Sequence, residues 1–145
     1  MPQRTSSSIT VGAKPAEVMA VIADFGRYPE WADGIKEAEV VEPNGDRADR
    51  VRFTLDAGVI KDSYVLAYTW DGDAAVEWEL AEKGKVVSGM TGAYRLTGTG
   101  ERTEVVYELA VDVAIPMPGL LRRQAEKTII GTALKGLKSR VESGH

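Results

Sequence analysis

Polar and apolar residues alternate in Ser8-Ile9-Thr10-Val11, the period-two signature of a strand with one covered face. The period then changes. Pro15 stands where a first helical residue would, Glu17 follows in the first turn, and Val18, Val21 and Ile22 repeat at i, i+3 and i+4, with Met19 beside them. This predicts a short helix with one buried face. Gly26 interrupts it, Pro29 can start a second short helix, and Gly34 is placed to end that one.

From Ile35 to Ile115, short β-like runs are punctuated by Asn44-Gly45-Asp46, Ala57-Gly58, Asp71-Gly72-Asp73, Lys83-Gly84-Lys85 and Thr97-Gly98-Thr99-Gly100, which predicts a six-strand meander. Alternation is clean in Val51/Phe53/Leu55, Val76/Trp78/Leu80 and Val105/Tyr107/Leu109/Val111/Val113, as in a sheet with one covered face. Gly89 and Gly92 inside a strand run predict a bulge or bend, hence a curved sheet. Pro116 and Pro118 end the last strand. From Gly119 the period is helical, and Leu121, Ala125, Ile129, Ala133, Leu137 and Val141 form a stripe that Ile130 and Leu134 widen, so this long helix is expected to cover the sheet.

Composition narrows the chemistry. A chain of 145 residues, 43% hydrophobic and 28% charged, can bury roughly 70% of its unfolded surface. One domain over residues 1–145, with an ordered core of about 8–142, is the expectation. There is no cysteine and the one histidine is His145, which excludes disulfides, thiolate chemistry, histidine triads and multi-histidine metal sites. Asp24, Glu30 and Asp33 flank the predicted short helices and suit capping, while Asp71 and Asp73 read as turn residues, so neither metal nor cofactor is expected.

The net charge of −4 argues against nucleic acid as a partner. Arg122, Arg123, Lys127, Lys135, Lys138 and Arg140 concentrate positive charge on the last helix, where a solvated face accounts for them. No run approaches the ~20 apolar residues of a membrane span, and the first eight residues lack the apolar core of a signal peptide. A cytoplasmic protein without stable membrane insertion, monomer or homodimer, is expected.

The order strand, two short helices, six strands, long helix resembles the SRPBCC superfamily of START-like proteins. So does the sequence from Ala13-Lys14-Pro15-Ala16-Glu17-Val18 to Ala23-Asp24-Phe25-Gly26-Arg27-Tyr28-Pro29-Glu30-Trp31, which points to the bacterial polyketide cyclase/dehydrase-like branch. The resemblance implies an α+β helix-grip fold, a curved seven-stranded antiparallel sheet wrapped around the C-terminal helix, with a cavity between them. It also implies that aromatase/cyclases of this kind place a tyrosine after the second short helix and an arginine on the fourth strand. Those positions align here with Ile35 and Thr69. Ile35 can donate no proton, and Thr69 cannot hold an oxyanion as a guanidinium would.

The expected ligand-binding residues are Trp31, Ile35, Phe53, Thr69, Trp78, Ser88, Met90, Tyr94, Tyr107 and Ile129. None titrates near pH 7 unperturbed, so no catalytic residue is assigned. On the fourth strand, periodicity would bury Tyr64, Leu66, Tyr68 and Trp70, whereas the resemblance turns Val65, Ala67 and Thr69 inward; the expectation follows the resemblance. The resulting reading is a binder or carrier of a small hydrophobic, lipid-like or aromatic polyketide-like molecule. One alternative is a cyclase/dehydrase acting through tyrosine hydroxyls. Another is an interaction module docking through Trp70 or the basic helix. Burying about 300 Å² of ligand yields roughly 7 kcal/mol, of which association takes back at least ~4, so tight binding requires added hydrogen bonds.

Overall fold

A computed structural model describes residues 4–57 and 60–143; Gly58, of the predicted Ala57-Gly58 turn, and His145 lie outside the described residues. Strand β1 (Thr5–Val11) leads into α1 (Pro15–Ala23), where Pro15 opens the helix and the Glu17 carboxylate accepts the Lys14 backbone N–H at 3.3 Å. The break comes at Asp24 rather than Gly26, because a 3-10 helix, Phe25–Glu30, takes both Gly26 and Pro29 into itself. Tyr28 ties this tight turn to α1 by donating its hydroxyl to the Ile22 carbonyl, one of the acceptors a helix end leaves free. Gly34, at φ 87°, then swings the chain into the sheet.

Strands β2 (Ile35–Asn44), β3 (Arg47–Ala57), β4 (Ile60–Asp71), β5 (Ala75–Glu82), β6 (Val87–Thr99) and β7 (Arg102–Val113) form the expected meander. All pairings are antiparallel and the sheet order is β1-β7-β6-β5-β4-β3-β2. Helix α2 (Gly119–Glu142) lies against β1, β7 and α1, and the 3-10 helix sits on β2. The result is the helix-grip arrangement. Register shifts between Ile35 and Glu37, Val40 and Glu42, Val65 and Leu66, and Val87 and Gly89 bend the sheet. Gly92 serves a different end: it pairs with Trp78, and a Cβ there would fall inside the indole.

Strand β4 corrects the sequence expectation. Tyr64, Leu66, Tyr68 and Trp70 face the core, while Thr69 is exposed on the other face. Both neighbouring strands enforce this phase, with Phe53 opposite Tyr64, Val51 opposite Leu66, Tyr68 opposite Trp78 and Trp70 opposite Val76. Reversing the strand would put four large side chains into water, a loss of roughly 6 kcal/mol or more. Trp70 is therefore no docking residue: its indole N–H donates to the Ala48 carbonyl at 2.7 Å and the Arg47 guanidinium covers its ring.

Helix α2 is also rotated from its expected phase. Its buried line is Glu126, Ile130, Leu134 and Leu137, leaving Leu121, Ala125 and Ile129 exposed. Glu126 sets the rotation. One carboxylate oxygen accepts the Thr5 hydroxyl and the other the Val111 N–H, each at 2.7 Å, so this side chain must point at the sheet.

A second buried carboxylate fixes the β5–β6 loop. Asp62 accepts backbone N–H bonds from Ser63, Lys85, Val86 and Val87 at 2.7–3.1 Å. Burial alone would raise its pKa, but the four amides outweigh that and hold the carboxyl below its ordinary value. Gly84 permits the close approach, since a Cβ there would collide with the Asp62 carboxylate.

Candidate functional site

The inward positions of β3 to β7 carry rings that meet those of the short helices. Tyr94 and Tyr107 are 4.6 Å apart between centroids, and Trp78 stands 5.5 and 5.6 Å from them. Tyr68 continues the line at 5.9 Å from Trp78, and Phe25 lies 4.9 Å beyond it. Phe53 joins Phe25 to Tyr64, and Tyr28 joins Phe53 to Trp31. Strand alternation brings the β residues to one face, and the Tyr28 hydroxyl bond to α1 holds the 3-10 helix over them.

The hydroxyls in this cluster are not alike. That of Tyr28 is engaged, but those of Tyr64, Tyr68, Tyr94 and Tyr107 have no hydrogen-bond partner among the described residues. Tyr64, Tyr94 and Tyr107 expose only 7%, 5% and 8% of their surface. Among the described side chains, the one sealed polar atom without a partner is Nη1 of Arg47, so none of the four hydroxyls is completely sealed. The same holds for the indole N–H of Trp78. The rings are largely enclosed while their polar tips are left without a protein partner among the described residues.

Its electrostatics are uniform. Burial pushes Tyr64 up to about 12, with the Asp62 charge adding to the effect. Burial likewise drives Tyr68, Tyr94 and Tyr107 well above the usual phenol range, helped by their neighbouring phenols. At neutral pH all four are uncharged hydrogen-bond donors and acceptors. The two buried carboxylates among the described residues, Asp62 and Glu126, have their oxygens engaged by the protein's own N–H and O–H groups. Among the described residues, no group of three His, Cys, Asp or Glu converges to hold a metal ion.

The structure brings Trp31, Phe53, Trp78, Tyr94 and Tyr107 into this cluster, and Ile35 and Met90 pack partly buried against it. Ser88 sits half-buried at the bulge between Val87 and Gly89. Thr69 is outside the site because of the β4 phase, and Ile129 is 46% exposed because of the α2 rotation. Tyr64 and Tyr68, set aside at the sequence level, belong to the site, and the strict alternation of β4 was the signal for them. Phe25 and Tyr28 come from a 3-10 helix whose irregular period hid which faces were buried.

Beside Trp31 an open groove of about 540 Å³ runs along α2, lined by Asp33, Thr132, Lys135, Gly136 and Arg140 among others. A Cβ on Gly136 would strike the Trp31 carbonyl, so glycine lets the 3-10 helix approach α2. Arg140 closes the contact with a 2.8 Å ion pair to Glu30.

Comparison with known proteins agrees with this architecture. The family described as "Polyketide cyclase / dehydrase and lipid transport" matches residues 2–142. A START superfamily protein from Mycobacterium smegmatis superposes with a TM-score of 0.90 at 20% identity, over 99% of both chains. An aromatase/cyclase from Streptomyces sp. R1128 gives 0.82 at 18% identity, over 98% of this chain and 94% of that one. A protein from Thermus thermophilus gives 0.81 at 25% identity, over 97% and 98%. A search of curated proteins gave no match.

Proposed function

The chain belongs to the polyketide cyclase/dehydrase and lipid transport family, and from that premise we propose that it binds and carries a small, largely apolar, uncharged molecule in its interior. The observation that carries this reading is the set of four tyrosine hydroxyls on one aromatic face, three of them on buried rings, that have no partner among the described residues. A hydroxyl with no protein partner is free to bond a ligand oxygen. The phenols are neutral and no free buried charge among the described residues faces them, so a carboxylate or ammonium would have to give up its hydration without a counter-ion.

Magnitudes make the hydroxyls decisive. Apolar burial of about 300 Å² leaves roughly 3 kcal/mol after the cost of association, which is millimolar binding or weaker. Four hydrogen bonds at about 1 kcal/mol each bring the total to roughly 7 kcal/mol, a Kd on the order of 10 µM. The site therefore favours ring compounds that carry several carbonyl or ether oxygens.

Calorimetry with naphthalene, 1,4-naphthoquinone and 2-naphthoate tests this. The diketone should bind best and the carboxylate worst. Failure of all three, together with no small molecule retained from cell extract by mass spectrometry, would remove the reading. Binding is favoured over catalysis because Ile35 donates no proton and tyrosines held this far above neutrality supply no base. The cyclase alternative predicts that Tyr107→Phe abolishes turnover of a poly-β-ketone. The unbroken sheet order supports a single domain, and the absence, among the described residues, of a helix long and apolar enough to cross a membrane is compatible with a cytoplasmic carrier.

A further inference from the structure

Leu120, Leu121, Ile115 and Ile129 are the most exposed large apolar side chains among the described residues, at 79%, 54%, 52% and 46%. They are grouped. Ile115 and the Leu120-Leu121 pair flank the entry to α2, and Leu121, Ala125 and Ile129 repeat every fourth residue along one flank of the helix. The rotation imposed by Glu126 is what turns that stripe away from the sheet.

The charge around the group is one-sided. Helix α2 holds six cations against Glu126 and Glu142, a net +4, while the rest of the chain carries −8. Glu126 is buried beneath the helix and Arg122 is paired with Asp112, but Arg123 and Lys127, in the same turns as the leucines, have no ion-pair partner among the described residues. Leu120, three and seven residues before Arg123 and Lys127, shares their side of the helix, and an exposed leucine beside uncompensated cations fits a surface that offers both an apolar layer and negative charge. A second copy presenting this same face would set Arg123 and Lys127 against their own counterparts.

We infer that the N-terminal half of α2, with Ile115, docks this protein on an anionic lipid bilayer, the leucines reaching the acyl boundary and Arg123 and Lys127 meeting lipid phosphates. Ile129 shares its flank with Thr132, Gly136 and Arg140, which line the groove beside Trp31, so the groove opens beside the docked face. The docking does not depend on what the interior holds.

Flotation of the full chain with vesicles of phosphatidylcholine alone, and of phosphatidylcholine with about 30% phosphatidylglycerol, tests it. Binding to the anionic vesicles is expected, weakened about tenfold or more by Leu120→Asp/Leu121→Asp and separately by Arg123→Glu/Lys127→Glu. Melting temperatures should stay near that of the unaltered chain, because these side chains are exposed. Should either pair misfold, the other carries the test. No flotation, equal flotation with both vesicle types, or flotation indifferent to both pairs would overturn the inference. So would a solution dimer that Leu120→Asp/Leu121→Asp dissociates, which would give the face to a second copy.

Discussion

Tyr94 and Tyr107 pair directly across the β6–β7 ladder, their rings 4.6 Å apart, yet neither hydroxyl bonds the other or any other described residue. Two donors held side by side and left open are of no use to the fold. Tyr94→Phe and Tyr107→Phe should therefore change stability by less than about 0.5 kcal/mol, while each weakens binding of 1,4-naphthoquinone about fivefold. Thermal melts and calorimetry on the same samples check both halves. A large loss of stability would mean that the hydroxyls serve the core instead.

Glu126 behaves in the opposite way. Its oxygens satisfy the Thr5 hydroxyl and the Val111 N–H inside the protein. Replacing it with leucine should cost about 2–4 kcal/mol by stranding both donors, and glutamine should cost less because it keeps one acceptor. Urea titration measures the difference. Equal losses for the two variants would contradict this account.

Acid should loosen the β5–β6 loop. The native pKa of Asp62 lies below its unfolded value of about 3.9. Its contribution to stability is therefore complete above that unfolded value and is lost as pH falls through the native one. Asp62→Asn should remove this part of the acid transition. It should also speed hydrogen exchange at Lys85, Val86 and Val87 at neutral pH, and unaltered exchange there would show that the loop is held by something else.

Gly136 lies against the Trp31 carbonyl, a backbone atom with little room to yield. Gly136→Ala should destabilise by about 1–3 kcal/mol despite alanine's better helix propensity, and should shift Trp31 fluorescence as the 3-10 helix lifts from α2. A stabilised variant would refute the close approach.

The elements of this fold were readable because each has its own period and punctuation: Pro15 opening α1, Gly45, Gly72 and Gly100 at positive φ in turns, and Pro116 and Pro118 before α2. Phase was harder. On β4 the alternation of Tyr64, Leu66, Tyr68 and Trp70 was the better guide, and alignment by resemblance misled because one residue of slip reverses every side chain of a strand. On α2 a count of apolar residues could not foresee that a glutamate would occupy the buried line. Its partners, Thr5 and Val111, are distant in sequence and meet only in the assembled sheet. The open hydroxyls were beyond reach for a related reason: composition names the tyrosines, but only packing decides which of their tips are left unpartnered.

The placement of β1 bears on how the chain comes to be folded. Strands β2 to β7 can join one hairpin at a time, each pairing with the strand made just before it. Strand β1 pairs only with β7, so Thr5 waits for Leu109 and Val11 for Thr103. During synthesis the first strand emerges long before its neighbour exists, and the edge of β7 stays bare until β1 returns to it. Closure is the late, entropically expensive step. Until it occurs, Glu126 lacks the Thr5 hydroxyl and α2 has only part of its seat, so a chain whose β1 has not yet returned would display the unpaired β7 edge to chaperones and to other copies of itself.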